Sequence, residues 1–178
     1  MRRKIVAAAA LIAVALGAYL IADRDKPDES AGQTLPNIKQ LVQEYSSGSL
    51  KAKSASITSD QLTVTADNNG KTAYNLPRNE FFVSIAPYVN ETHPCATHNL
   101  AGCQGEMENE KFNVTITDSN GSVVIQDVFQ SYSNGFIDFW LPRDQTYHVK
   151  IEQDGKSSET EISTFKGDNT CISTMKLT

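Results

Sequence analysis

From residue 54 onward the chain places apolar side chains at every second position in short runs, and closes the runs with residues that turn the backbone. Leu62 and Val64, Phe81 with Val83 and Ile85, and Phe112 with Val114 and Ile116 keep this period of two, which turns one strand face to a core and the other to solvent. Asp67-Asn68-Asn69-Gly70, Ser119-Asn120-Gly121 and Asp154-Gly155 supply residues suited to tight turns. Further runs at 123–125, 136–141, 147–151, 161–165 and 172–177 continue at the spacing of an antiparallel β-sandwich or open barrel. One helix precedes them: Ile38, Leu41, Val42 and Tyr45 fall at i, i+3, i+4 and i+7, which predicts a short amphipathic helix over 36–45 with a cap near Thr34 and a stop at Gly48. Its apolar face must pack on the body of the protein or on a second copy in a homodimer.

The amino-terminal segment fixes the compartment. Arg2, Arg3 and Lys4 precede an uncharged run over 5–22, the pattern of a secretory signal, with small residues Gly17, Ala18 and Ala22 near candidate cleavage points. The run is long enough that an uncleaved anchor, the only membrane attachment expected, is the other reading. No cysteine precedes Cys95, which excludes lipid attachment beside the leader. Without 1–22 the chain holds 13 basic and 21 acidic residues, a net charge of −8. Such acidity argues against nucleic acid or an anionic membrane as partner and favours small cations. Residues 23–35 read as a polar linker.

His93, Cys95, His98 and Cys103 lie within eleven residues, in a loop between two predicted strands. Thiolate and imidazole are the donors that borderline and soft metal ions prefer, and a loop can aim several at one centre. Pro94 fixes the way in, and Gly102 and Gly105 are expected to let the backbone turn on the way out. Cys171, near the last strand, makes a third thiol if the fold brings it beside the loop. Two of the three cysteines could serve as a plain disulfide staple in an exported protein, but the odd thiol and the flanking histidines go unexplained by a staple. His148 alternates with Tyr147 and Val149 and reads as a solvated-face residue; Met107 reads as packing and Met175 as core.

The stretch 135–142 followed by Thr146-Tyr147-His148-Val149 resembles the strand pair of transthyretin-like modules, in keeping with a transthyretin-like or immunoglobulin-like sandwich. A more specific resemblance is carried by Phe82-Val83-Ser84-Ile85-Ala86-Pro87-Tyr88-Val89, Thr92-His93-Pro94-Cys95-Ala96-Thr97-His98, Gly102-Cys103-Gln104-Gly105-Glu106 and Cys171-Ile172-Ser173-Thr174-Met175-Lys176-Leu177. These runs resemble the CueP family of copper-resistance proteins over 36–178. The resemblance implies an exported bacterial copper binder that stores, carries and reduces copper in the cell envelope, with Cys95, Cys103, Cys171, His93 and His98 as its metal residues. It also implies an envelope protein that receives the copper, and a thiol reductant.

The donor set suits Cu(I) through thiolates and imidazole, and Cu(II) through nitrogen; zinc is the rival ion, since it accepts the same donors without redox change. The domains on this reading are 1–22 signal or anchor, 23–35 linker, 36–80 helix and strand subdomain, and 81–178 metal-binding β-domain. Spacing makes Cys103 and Cys171 the expected disulfide pair, leaving Cys95 with the histidines. Two other classes compete. An adhesion-type sandwich with a staple would suit the sequons at Asn90, Asn113 and Asn120, and a thiol-disulfide oxidoreductase would need the Cys-x-x-Cys motif that this chain lacks.

Overall fold

The computed structural model describes residues 37–178, so the predicted signal and linker lie outside the described residues. The described residues belong to one compact unit. Helix α1 (Ile38–Ser46) begins where the Asn37 side chain accepts from the backbone N–H groups of Lys39 and Gln40 at 3.2 and 3.4 Å. Asn37 is therefore the cap, and the expected cap at Thr34 lies outside the described residues. Val42 is buried, and Ile38, Leu41 and Tyr45 pack around it against Ala55, Ile57, Leu62 and Phe82 of the same chain. Of the two coverings open to the helix, the body of the protein is the one present.

Eleven strands follow: β1 (Ser54–Ile57), β2 (Gln61–Thr65), β3 (Lys71–Asn75), β4 (Glu80–Ile85), β5 (His98–Asn99), β6 (Lys111–Asp118), β7 (Val123–Gln130), β8 (Ile137–Pro142), β9 (Thr146–Gln153), β10 (Lys156–Ser163) and β11 (Cys171–Ile172). They form sheets in the orders β3-β2-β1-β5, β10-β9-β6-β7 and β11-β4-β8. The protein is mostly β, as expected, and among the described residues no sheet closes into a barrel. Nor is any described helix long and apolar enough to cross a membrane.

The period of two does the building. Phe112, Val114 and Ile116 of β6 and Tyr147, Val149 and Ile151 of β9 meet Phe81, Val83 and Ile85 of β4 and Phe139 and Leu141 of β8 in the larger core, which Met175 and Leu177 also enter. Phe82, on the other face of β4, joins the second core with α1 and β1–β2, so β4 is covered on both sides. Asp154 and Gly155 both adopt positive φ, 49° and 78°, and close the tight β9–β10 hairpin. His148 is exposed, with Nε2 3.3 Å from Glu159, and Met107 is half-buried against the larger core.

Three elements depart from the sequence reading. Strand β3 is an exposed edge strand without alternation. Strand β5 forms inside the expected loop, pairing Ile57 with His98 and Ser56 with Asn99. Strand β11 runs parallel to β4, with Cys171 opposite Ser84, because the connection after β10 crosses to another sheet instead of folding back as a hairpin.

Candidate metal centre

Each donor side chain is set by a backbone anchor. Asn99 accepts from the N–H groups of Ala55 and Ala101 on Oδ1, at 2.9 and 3.3 Å, and from those of Gly102 and Cys103 on its carbonyl, at 3.0 and 2.8 Å. The resulting tight turn folds Cys103 back over β5. Thr170 Oγ1 accepts from the His98 N–H at 3.0 Å and donates to the Ile57 carbonyl at 2.6 Å. The N–H groups of Thr170 and Cys171 both donate to the Ala96 carbonyl, at 3.0 and 3.2 Å, which ties the Cys95 segment to the start of β11.

These anchors bring one donor atom from each of Cys95, His98, Cys103 and Cys171 within 4.8 Å of one another. Cys171 and His98 are sealed, at 1% and 0% exposure, whereas Cys95 and Cys103 are half-buried. Cys95 and Cys171 form a disulfide with Cα atoms 5.5 Å apart, and the Cys103 sulfur lies 3.7 Å from that of Cys95. This corrects the expected Cys103–Cys171 bridge. The Ala96 tether draws Cys95 onto β11, while the Asn99 turn holds Cys103 back over β5; spacing along the chain carried no information on either anchor. His93 stands outside the four-donor group. Its carbonyl accepts from Ser173 Oγ at 2.6 Å, and it lines a separate shallow cavity with Glu91 and Glu106.

His98 lies between Phe82 and Phe136, with ring centroids 6.4 and 4.3 Å away. Burial, with a smaller contribution from the charge of His93, pushes its pKa down to about 3, so the imidazole is neutral at physiological pH. Neither ring nitrogen has a hydrogen-bond partner. A buried polar group without a partner costs about 1–3 kcal/mol, and coordination to a metal would offset that cost. A neutral imidazole beside three sulfurs is a donor set that fits a soft or borderline ion.

The loop is held at its far end by Glu106, whose carboxylate accepts from the N–H groups of Val89, Asn90 and Glu91. The bond from the Asn90 N–H is the main reason its pKa stands well below the usual carboxylate range, and burial works against it. Gly105 serves the loop differently from the expectation: it passes directly against Gly135, and a Cβ on it would stand 2.8 Å from the Gly135 carbonyl oxygen. Gly102 is likewise confined, by the Asn99 amide 2.7 Å from where its Cβ would be. Close approach of backbone to backbone is the requirement at Gly105, whereas the neighbour at Gly102 is the end of a side chain.

Beside Cys171 the row continues across the sheet through Ser84 to Asp138, which is paired in register with Ser84. Asp138 accepts from Ser84 Oγ at 2.6 Å and from Ser46 Oγ at 2.5 Å, joining α1 to β8. Its side chain keeps some contact with the groove beside α1, yet enclosure of the carboxylate pushes its pKa up to about 6, with both serine bonds opposing. A folded pKa above the unfolded value means that this contribution to stability is full below about pH 4 and is lost as pH rises through 6. An Asp138→Asn variant should therefore gain about 2–3 kcal/mol over the parent on going from pH 4 to pH 7. Urea unfolding at both pH values measures the difference, and an unchanged difference would refute the assignment.

Fold and site together define a mostly β protein with a buried sulfur and imidazole cluster of the kind that holds soft metal ions. The sequence model of one family, described as periplasmic copper-binding protein CueP, matches residues 37–176, and the chain belongs to the CueP family. It is similar to the solved structure described as "Crystal Structure of S.CueP", with 38% identity, a TM-score of 0.75, and coverage of 83% of this chain and 91% of that one. A search of curated proteins gave no match. The residues that sequence reasoning missed are Asn99, Thr170 and Gly135. The first two position donors through backbone bonds, and only their adjacency to His98 and Cys171 hinted at a role.

Proposed function

We propose that this chain is an exported protein of the cell envelope that holds Cu(I) between the thiolates of Cys95, Cys103 and Cys171 and the imidazole of His98, with His93 beside the approach, and so contributes to copper resistance. The observation that carries the reading is the neutral, buried, unpartnered His98 ring within 4.8 Å of three sulfurs, two from its own loop and one from β11. Copper is cargo here, passed to a receiving envelope protein.

The same sulfurs support a reductive role. Closing Cys95 and Cys171 to a disulfide releases two electrons and two protons, enough to take two Cu(II) ions to Cu(I), and a thiol reductant would reopen the bond. This reading moves the reducing pair from Cys103 and Cys171 to Cys95 and Cys171. Zinc is the competing occupant, because the four donors also suit a tetrahedral ion.

The test is competition against a Cu(I) chelator with the thiols reduced. One tightly held Cu(I) per chain is expected, weakened at least about tenfold in Cys95→Ser and in His98→Ala; each tenfold corresponds to about 1.4 kcal/mol. Unchanged affinity in both variants, or a preference for zinc over Cu(I), would overturn the proposal.

A further inference from the structure

A groove of about 710 Å³ runs beside α1, with Lys39, Val42 and Glu44 of the helix on one side, and Tyr132 with Asp138 and Trp140 of β8 on the other. None of the four metal donors lines it. The Asp138 carboxylate at its wall is bonded by two neutral hydroxyls, those of Ser46 and Ser84, and among the described residues no cation pairs with it. Burial raises its pKa to about 6 against the pull of both serines, so at pH 8 the group is charged. A desolvated charge with no counter-ion of its own attracts a cation from solution. Tyr132 lies close enough for that charge to raise its phenol pKa, second to the effect of burial. Trp140 is half-buried and held edge-on by Phe82 at 5.2 Å, and its ring already takes an ammonium: Lys39 Nζ stands 5.4 Å from the centroid, paired with Glu80 at 2.6 Å.

We propose that this groove binds a small quaternary ammonium compound, with Asp138 supplying the charge and Trp140 and Tyr132 the ring faces. Each Asp138 oxygen already accepts a short bond from a serine, so the groove offers charge and π-surface more than open acceptors. A fully alkylated ammonium has no N–H to satisfy and a weak hydration shell, and it gains from ring faces by electrostatic attraction. A primary ammonium would leave donors unpaired in the same place. Lys39 shows where an alkylammonium sits against Trp140, and its own charge is met by Glu80, which leaves Glu44 and Asp138 as the charges that face a ligand. The volume is in the range of small-molecule sites. This inference needs no copper and stands apart from the reading of the metal centre.

Trp140 is the one tryptophan of the chain, so its fluorescence reports on the groove without a label. The test titrates the full, metal-free chain at pH 8 with choline chloride, with ethanolamine as the primary ammonium, with 3,3-dimethyl-1-butanol as the neutral isostere, and with sodium chloride at matched ionic strength. Choline is expected to shift the emission saturably, with a Kd of about 1 mM, and to bind at least about tenfold more tightly than the neutral alcohol and about threefold more tightly than ethanolamine. Asp138→Asn should weaken choline at least about tenfold, and Lys39→Gln, which frees the ring face, should strengthen it about threefold. Unfolding in urea verifies that both variants are folded at pH 8. No saturation beyond the sodium chloride control, equal affinity for choline and the neutral alcohol or ethanolamine, or affinity that a folded Asp138→Asn leaves intact would each overturn the proposal, as would weaker binding in Lys39→Gln.

Discussion

Reduction of the Cys95–Cys171 bond is expected to destabilise the fold by about 4 kcal/mol and to lower the melting temperature by about 10 °C. The bond spans a sequence separation of 76 residues, and on the chain-entropy model a cross-link of that span restricts the unfolded chain by about 4–5 kcal/mol, against roughly 2–3 for a Cys95–Cys103 bridge. Its position adds to the effect. It fastens the donor loop to β11, a strand of two residues held to β4 by few backbone bonds. Denaturation with and without a phosphine reductant, in the absence of metal, reads the difference. A loss below about 1 kcal/mol would show that the parallel strand stays docked without the bond. Adding Cu(I) to the reduced chain should restore stability by mass action on the folded state.

The second large effect is at Gly135, where alanine is expected to cost more than about 3 kcal/mol and to weaken Cu(I) binding. Two penalties coincide. Gly135 has φ +77°, and a Cβ there would stand 2.6 Å from the carbonyl oxygen of Gly105 and 2.8 Å from its Cα. These are backbone atoms, so no rotamer change relieves the contact; the segment carrying Gly105 must move, and Cys103 lies two residues before it. Gly121 separates the penalties, since it has φ +80° and a Cβ there would meet nothing within 4 Å. Gly121→Ala should cost only about 1 kcal/mol, from backbone strain alone. Equal losses in the two variants, measured by urea unfolding, would remove the close approach as the cause.

Much of this was legible in the sequence because strand alternation and turn chemistry act locally. Phe81, Val83 and Ile85, or Phe112, Val114 and Ile116, announce their buried faces without reference to the rest of the chain, and Asp154-Gly155 announces its hairpin. The Cys and His donors were visible as a cluster for the same reason. What stayed hidden was relational. That β11 lies parallel to β4, that Ala96 receives two N–H groups from the chain before and at Cys171, and that Gly105 meets Gly135 depend on pairs of segments far apart in sequence. The disulfide was misread on this account: Cys103 and Cys171 looked paired along the chain, but the anchors that choose between Cys95 and Cys103 are backbone bonds. The exposed strand β3 carries no periodic signal because Tyr74 is the one residue of it that packs against a core.

The Thr170 hydroxyl, which bonds both the His98 N–H and the Ile57 carbonyl, joins segments 72 and 113 residues apart. Contacts of such separation carry the largest loop-closure cost and are slow to form. A partly folded chain therefore offers a metal ion only the adjacent Cys95, His98 and Cys103, a loose chelate with its imidazole still open to water. On the proposed reading, loading at full affinity awaits the docking of the last strand, so the ion's residence would report on whether the chain has finished folding.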